Sequence, residues 1–164
     1  MHAQADEVTV RPARPEDLDA MVEVTAEAFG PSSSMDCRIE SVLGRGAGPG
    51  WVDLKARALR RELRDRGGAS FVAELGGRVV GYVTGLVDEA ASRGAIANLA
   101  VAPRCAGRGV GRKLLLRSLE RFRELGLAQA KIETLATNEV GQHLYPAVGF
   151  REVARQIHYV MSLE

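Results

Sequence analysis

Apolar and polar positions along this chain follow two periods, and the changes of period mark its elements. Val8-Thr9-Val10-Arg11 alternates every second residue, as a short strand does. Pro15-Glu16-Asp17 then opens a helix, with acids in the first turn and Leu18, Met21, Val22, Ala26 and Phe29 on one stripe. Gly30-Pro31 ends it. Residues 30–51 are the loosest stretch, although residues 35–43 fit a short amphipathic turn of helix. Residues 53–66 read as a second long helix, closed by Gly67-Gly68. Phe71-Val72-Ala73-Glu74-Leu75, Gly76-Gly77 and Val79-Val80-Gly81-Tyr82-Val83 together predict a β-hairpin. Residues 95–101 are mostly apolar and suit the centre of a sheet. A helix follows over 109–125, with Val110, Leu114, Leu115, Leu119, Phe122 and Leu125 facing inward and Gly126 as its C-cap. Residues 131–136 predict a strand, 139–148 a short helix and 157–163 a closing strand. The order β-α-α-β-β-β-α-β-α-β implies a mixed sheet covered by helices, in the α/β (α+β) class.

A length of 164 residues is that of one domain, with its core over about 8–163. The 22 basic and 21 acidic residues leave a formal charge of +1, so neither nucleic acid nor an anionic membrane is expected as a partner. No run approaches the ~18 apolar residues of a membrane span, and residues 1–6 carry no apolar signal core. The expectation is a cytoplasmic protein. Cys37 and Cys105 are the only cysteines and His2, His143 and His158 are scattered, so no metal-ligand spacing appears and no metal is expected. The two thiols are read as free in a reducing compartment, with a 37–105 bridge as the alternative.

Local chemistry concentrates after the central strand. Residues 101–115 read Val-Ala-Pro-Arg-Cys-Ala-Gly-Arg-Gly-Val-Gly-Arg-Lys-Leu-Leu, a strand running through a glycine-rich turn into an amphipathic helix. N–H groups at a helix start lack intrahelical acceptors, and the dipole adds partial positive charge there. Gly107, Gly109 and Gly111 let that backbone approach a phosphate closely, and Arg104, Arg108 and Arg112 add charge around it. Alone, the pattern is equally what a strand–helix turn needs for steric reasons. A dinucleotide fingerprint fits poorly, since three strands precede the loop, and no Gly-Lys-Ser/Thr is present for a P-loop.

A second segment decides between these readings: Asn138, Gly141, Leu144-Tyr145 and Gly149-Phe150. With it, the chain resembles the GNAT superfamily of N-acyltransferases over nearly its whole length. The coenzyme A loop of that family, Arg/Gln-x-x-Gly-x-Gly/Ala, is matched by residues 106–111, with Ala106 in place of the usual Arg or Gln. Its downstream Asn-x-x-Ala-x-x-Leu-Tyr and Gly-Phe are matched by residues 138–150, with Gly141 in place of Ala.

The resemblance implies a mostly antiparallel sheet whose central strands splay, with the pantetheine arm of acetyl-CoA bonded to the backbone of Leu99, Ala100 and Val101. The pyrophosphate would lie on residues 104 and 106–112, among them Ala106, Arg108 and Val110, and Asn138 would reach the pantetheine. An amine, of a small molecule or a peptide, would attack the thioester directly. Tyr145 would act as the general acid that protonates the departing thiolate. Many members carry a glutamate on the strand before the loop; here Ala97 and Asn98 stand there, so the general base is left to water ordered by Asn98 or to Glu133 on the next strand. His158 and Tyr159 on the last strand are further candidates to face the acceptor. Residues 30–51 would shape the acceptor site, and homodimers are common in the family. The alternatives are a weak acetyl-CoA sensor and a purely structural domain.

Overall fold

The computed structural model describes residues 7–163; residues 1–6, read above as lacking a signal core, lie outside this range. Its elements are β1 (Thr9–Pro12), α1 (Leu18–Ala28), α2 (Met35–Leu43), α3 (Trp51–Glu62), β2 (Phe71–Leu75), β3 (Arg78–Asp88), β4 (Arg93–Val101), α4 (Val110–Glu124), β5 (Gln129–Ile132) and α5 (Glu139–Ala147). One five-stranded sheet has the order β1-β2-β3-β4-β5. Its first three pairings are antiparallel and β5 runs parallel to β4, the mixed, mostly antiparallel sheet that was predicted.

Alternation along the strands sorts side chains to two cores. Phe71 and Val83 join Leu114, Leu115 and Phe122 under α4. Val72, Tyr82 and Ala100 point the other way and pack with Met21, Val24 and Leu59 of α1 and α3. Burying the Tyr82 ring requires a partner for its hydroxyl. That hydroxyl lies 2.6 Å from Thr25 Oγ1, whose own proton goes to the Met21 carbonyl, so Tyr82 is the donor. Glycines let α4 approach the sheet: a Cβ at Gly94 would come within 2.4 Å of the Phe122 ring, and one at Gly85 within 2.8 Å of Ser118 Oγ. At Gly76 and Gly77 the φ values of +56° and +74° form the hairpin turn that glycine permits.

Two strand expectations need correction. The strand expected over 131–136 occupies Gln129–Ile132 instead, and residues 133–136 leave the ladder. The closing strand expected over 157–163 is absent: residues 151–163 enter no strand, with Ile157 78% and Tyr159 91% exposed. Alternation describes the face a strand would offer, whereas a strand exists only where an edge pairs with it. His158 and Tyr159, expected to face the acceptor, therefore stand exposed outside the sheet. Cys37 and Cys105 are both free thiols.

Candidate active site

β4 changes character halfway along. Its pairing with β5 ends at Ile96, while its pairing with β3 continues to Val101. From Ala97 onward the edge facing β5 is unpaired, so backbone groups of alternate residues there face a gap between the two strands. A bulge lies at the same point: Thr84 pairs with Asn98 and Gly85 with Ile96, which leaves Ala97 as the extra residue. Ala97 is exposed, Leu99 and Val101 pack toward α4, and Asn98 and Ala100 face α1 and α3.

The gap leads to the start of α4. Gly107 and Gly109 have φ of +73° and +74°, with nothing within 4 Å of a Cβ built at either. Gly109 is the N-cap residue, and no side chain caps the helix. The N–H groups of Val110, Gly111 and Arg112 precede the first helical bond at this end, which runs from Lys113 N to the Gly109 carbonyl at 3.0 Å. Three donors and the dipole therefore converge where added atoms meet no steric obstacle. Arg104 pairs with Glu27 at 3.1 Å, and Arg112 donates to the Ala147 carbonyl at 3.4 Å. Arg108 is exposed, as is Ala106, and has no polar partner among the described residues.

α5 flanks the same region. Asn138 caps it by accepting from Gly141 N–H at 3.2 Å, and donates through Nδ2 to Thr134 Oγ1 at 2.9 Å. The Tyr145 ring lies back over Gly141: a Cβ there would come within 2.8 Å of Tyr145 Cε2. In this arrangement glycine leaves room at position 141 for the Tyr145 ring and for the Asn138 side chain. Tyr145 meets Phe150 edge-on, with centroids 6.3 Å apart, and burial raises its phenol above the ordinary tyrosine range. Its phenol is therefore protonated at neutral pH.

Below the bulge lies a polar cluster. Asn98, 7% exposed, accepts from Lys55 Nζ at 3.0 Å and donates to Glu62 Oε2 at 2.8 Å and to Thr84 Oγ1 at 3.3 Å. The buried Thr84 hydroxyl donates to the same Glu62 oxygen at 2.7 Å. Glu133 lies outside this cluster, 76% exposed and paired with Lys131 at 2.8 Å.

A family model for the Acetyltransferase (GNAT) family matches residues 37–150, well over half of the chain. The chain belongs to this family. Among GNAT relatives, the mycothiol acetyltransferase of Tsukamurella paurometabola is 30% identical over 159 residues, 96% of this chain and 53% of that protein. An uncharacterised N-acetyltransferase of Methanocaldococcus jannaschii is 36% identical over 85 residues, 50% of this chain and 52% of that one. The chain spans about half the length of these curated relatives. Among solved structures, the PaiA N-acetyltransferase of Thermoplasma acidophilum in complex with coenzyme A shares the fold at a TM-score of 0.67 and 17% identity, over 88% of this chain and 90% of that one. No helix among the described residues is long and apolar enough to cross a membrane.

The two GNAT motifs were legible because each is contiguous. Lys55 and Glu62 were missed. Their signal was available: Lys55, Leu59 and Glu62 fall at i, i+4 and i+7 on one helical face, so Leu59 marks the inward side and both charges flank it.

Proposed function

We propose that this chain transfers the acetyl group of acetyl-CoA directly to a primary amine. One observation carries the reading: the unpaired edge of β4 leads into the uncapped, glycine-opened start of α4. That arrangement can hold an amide-bearing arm as an added strand and a pyrophosphate at its end. Leu99 to Val101 would bind the arm and residues 104 and 106–112 the phosphates, with Arg108 the side chain freest to join them. An N–H of the bulged segment would polarise the thioester carbonyl as charge develops on its oxygen. Tyr145 would protonate the departing thiolate, since its phenol carries its proton at neutral pH. Asn138 supports the placement of Tyr145 by capping its helix. Of the candidate bases, Asn98 is committed to Lys55 and Glu62, and Glu133 stands on the other arm of the splay.

The test is release of free thiol from acetyl-CoA with a panel of primary amines. Amine-dependent release is expected, reduced about 100-fold or more in Tyr145→Phe with stabilisation by acetyl-CoA intact. Stabilisation without release from any amine would favour a sensor, and a fully active Tyr145→Phe would remove the proposed acid.

A further inference from the structure

Lys55 and Glu62 sit two turns apart on α3, with fully buried Leu59 between them. Both charges meet only neutral groups. Lys55 Nζ bonds the Asn98 amide oxygen and lies 5.8 Å from the centroid of the Phe29 ring. Glu62 bonds the Thr84 hydroxyl and the Asn98 amide N–H. Neither has an ion-pair partner among the described residues. One neutral amide thus separates a cation from an anion. Two hydrogen bonds and the width of an amide put them at most about 8 Å apart.

Lys55 spends one of its three ammonium protons on these partners and Glu62 one of its two oxygens, so each keeps capacity for a further bond. Here two such charges of opposite sign stand side by side, next to the bulge at Ala97 where the coenzyme edge begins. Phe29, under Lys55, adjoins the 30–51 segment between α1 and α3. A single ligand with an ammonium at one end and a carboxylate at the other would satisfy both.

We propose that this pair is the acceptor site and that the acceptor is a free α-amino acid, its ammonium at Glu62 and its carboxylate at Lys55. The ~3 Å between the two charged groups of such a molecule, with a charge-assisted hydrogen bond of ~2.8 Å at each end, reaches up to ~8 Å, enough to bridge two groups that stand no farther apart than that. The inference rests on the acetyl-transfer reading above. Glu62 takes one proton from the ammonium; the freed nitrogen bonds the acetyl carbon as the carbon–sulfur bond breaks. The thiolate takes the Tyr145 proton, the second nitrogen proton returns to the phenolate through solvent, and Glu62 releases its own. One ammonium and one thioester give one amide, one thiol and one proton.

Thiol release from acetyl-CoA is measured with the standard free L-α-amino acids, their α-amides and the corresponding alkylamines. At least one amino acid should exceed its amide and its alkylamine about tenfold or more in kcat/KM. Lys55→Met should lower that preference about tenfold, and Lys55→Arg should keep it. Glu62→Gln, which still accepts from Thr84, should lower kcat for every acceptor. A rise in Tm with acetyl-CoA checks that each variant is folded and binds coenzyme. Amides or alkylamines used as well as amino acids, or a preference untouched by Lys55→Met, would overturn the proposal and leave acetyl transfer standing. Lack of turnover of every amino acid, with stabilisation by acetyl-CoA intact, overturns it too. Lack of that stabilisation in the wild type removes the underlying reading, and the proposal with it.

Discussion

Gly109 and Gly77 offer a matched pair of substitutions that isolates the coenzyme loop from the cost of backbone strain. Both have φ of +74°, and a Cβ at either meets nothing within 4 Å. Gly77 lies in the β2–β3 hairpin, whereas Gly109 caps α4. Alanine at either site pays about 1–2 kcal/mol for a left-handed conformation. It recovers about 0.4–1 kcal/mol from a less disordered unfolded chain. The net loss of ~1 kcal/mol should lower Tm by about 2–4 °C in both variants for a chain of this length. The ligand response should separate them. At 100 times its Kd, acetyl-CoA adds about 2.7 kcal/mol, a rise of roughly 5–10 °C. The open space beside Gly109 is where a phosphate would approach the first N–H groups, and a methyl group there would obstruct it. A 30-fold weaker Kd at the same ligand concentration would leave about 0.9 kcal/mol, a rise of roughly 2–4 °C. Gly77→Ala should keep the full rise. The assay is thermal unfolding of wild type and both variants over a titration of acetyl-CoA. An undiminished response in Gly109→Ala, or an equal loss in both, would refute the assignment of this loop to the coenzyme.

Other predictions address the body of the fold. The Arg11 guanidinium forks onto both Asp17 oxygens at 2.8 Å, also bonds Glu74, and holds the Asp17 carboxyl below its ordinary value, aided by Arg14 N–H. A depressed native value stabilises the fold above the unfolded value of ~3.9, an effect lost as pH falls through the native one. Asp17→Asn should therefore cost about 1–3 kcal/mol at pH 7 and progressively less below about pH 4, read by urea unfolding across pH; a constant difference would refute the linkage. Gly94→Ala should cost about 1–3 kcal/mol or more, because the methyl group would overlap the buried Phe122 ring. A Tm within about 2 °C of wild type would show that the ring yields freely.

Local pattern was sufficient wherever an element and its ligand chemistry lie in one stretch. The hairpin, the amphipathic α4 and the glycine turn at its start depend on backbone conformations and hydrogen-bond vacancies that neighbouring residues create. Residues 106–111 and 138–150 could thus be read directly, and the start of α4 is uncapped as that reading requires. Gly141 was legible only as a departure from a motif. The close approach of the Tyr145 ring to it appears only when the helix places residues i and i+4 together.

Pairing across the sheet was beyond the sequence. Residues 157–163 alternate as well as any strand here and form none, because alternation does not supply an edge. The bulge at Ala97 was likewise invisible, since it is a mismatch of register between β3 and β4 and belongs to neither strand alone. That mismatch sends Ala97 outward and Asn98 toward α3, where Lys55 and Glu62 meet it across intervals of 43 and 36 residues. The sequence by itself determined which chain segments could hold a coenzyme. The tertiary structure decided which charges gather at Asn98, because hydrogen bonds between α3 and β4 depend on how the helix packs on the sheet, which no local pattern records.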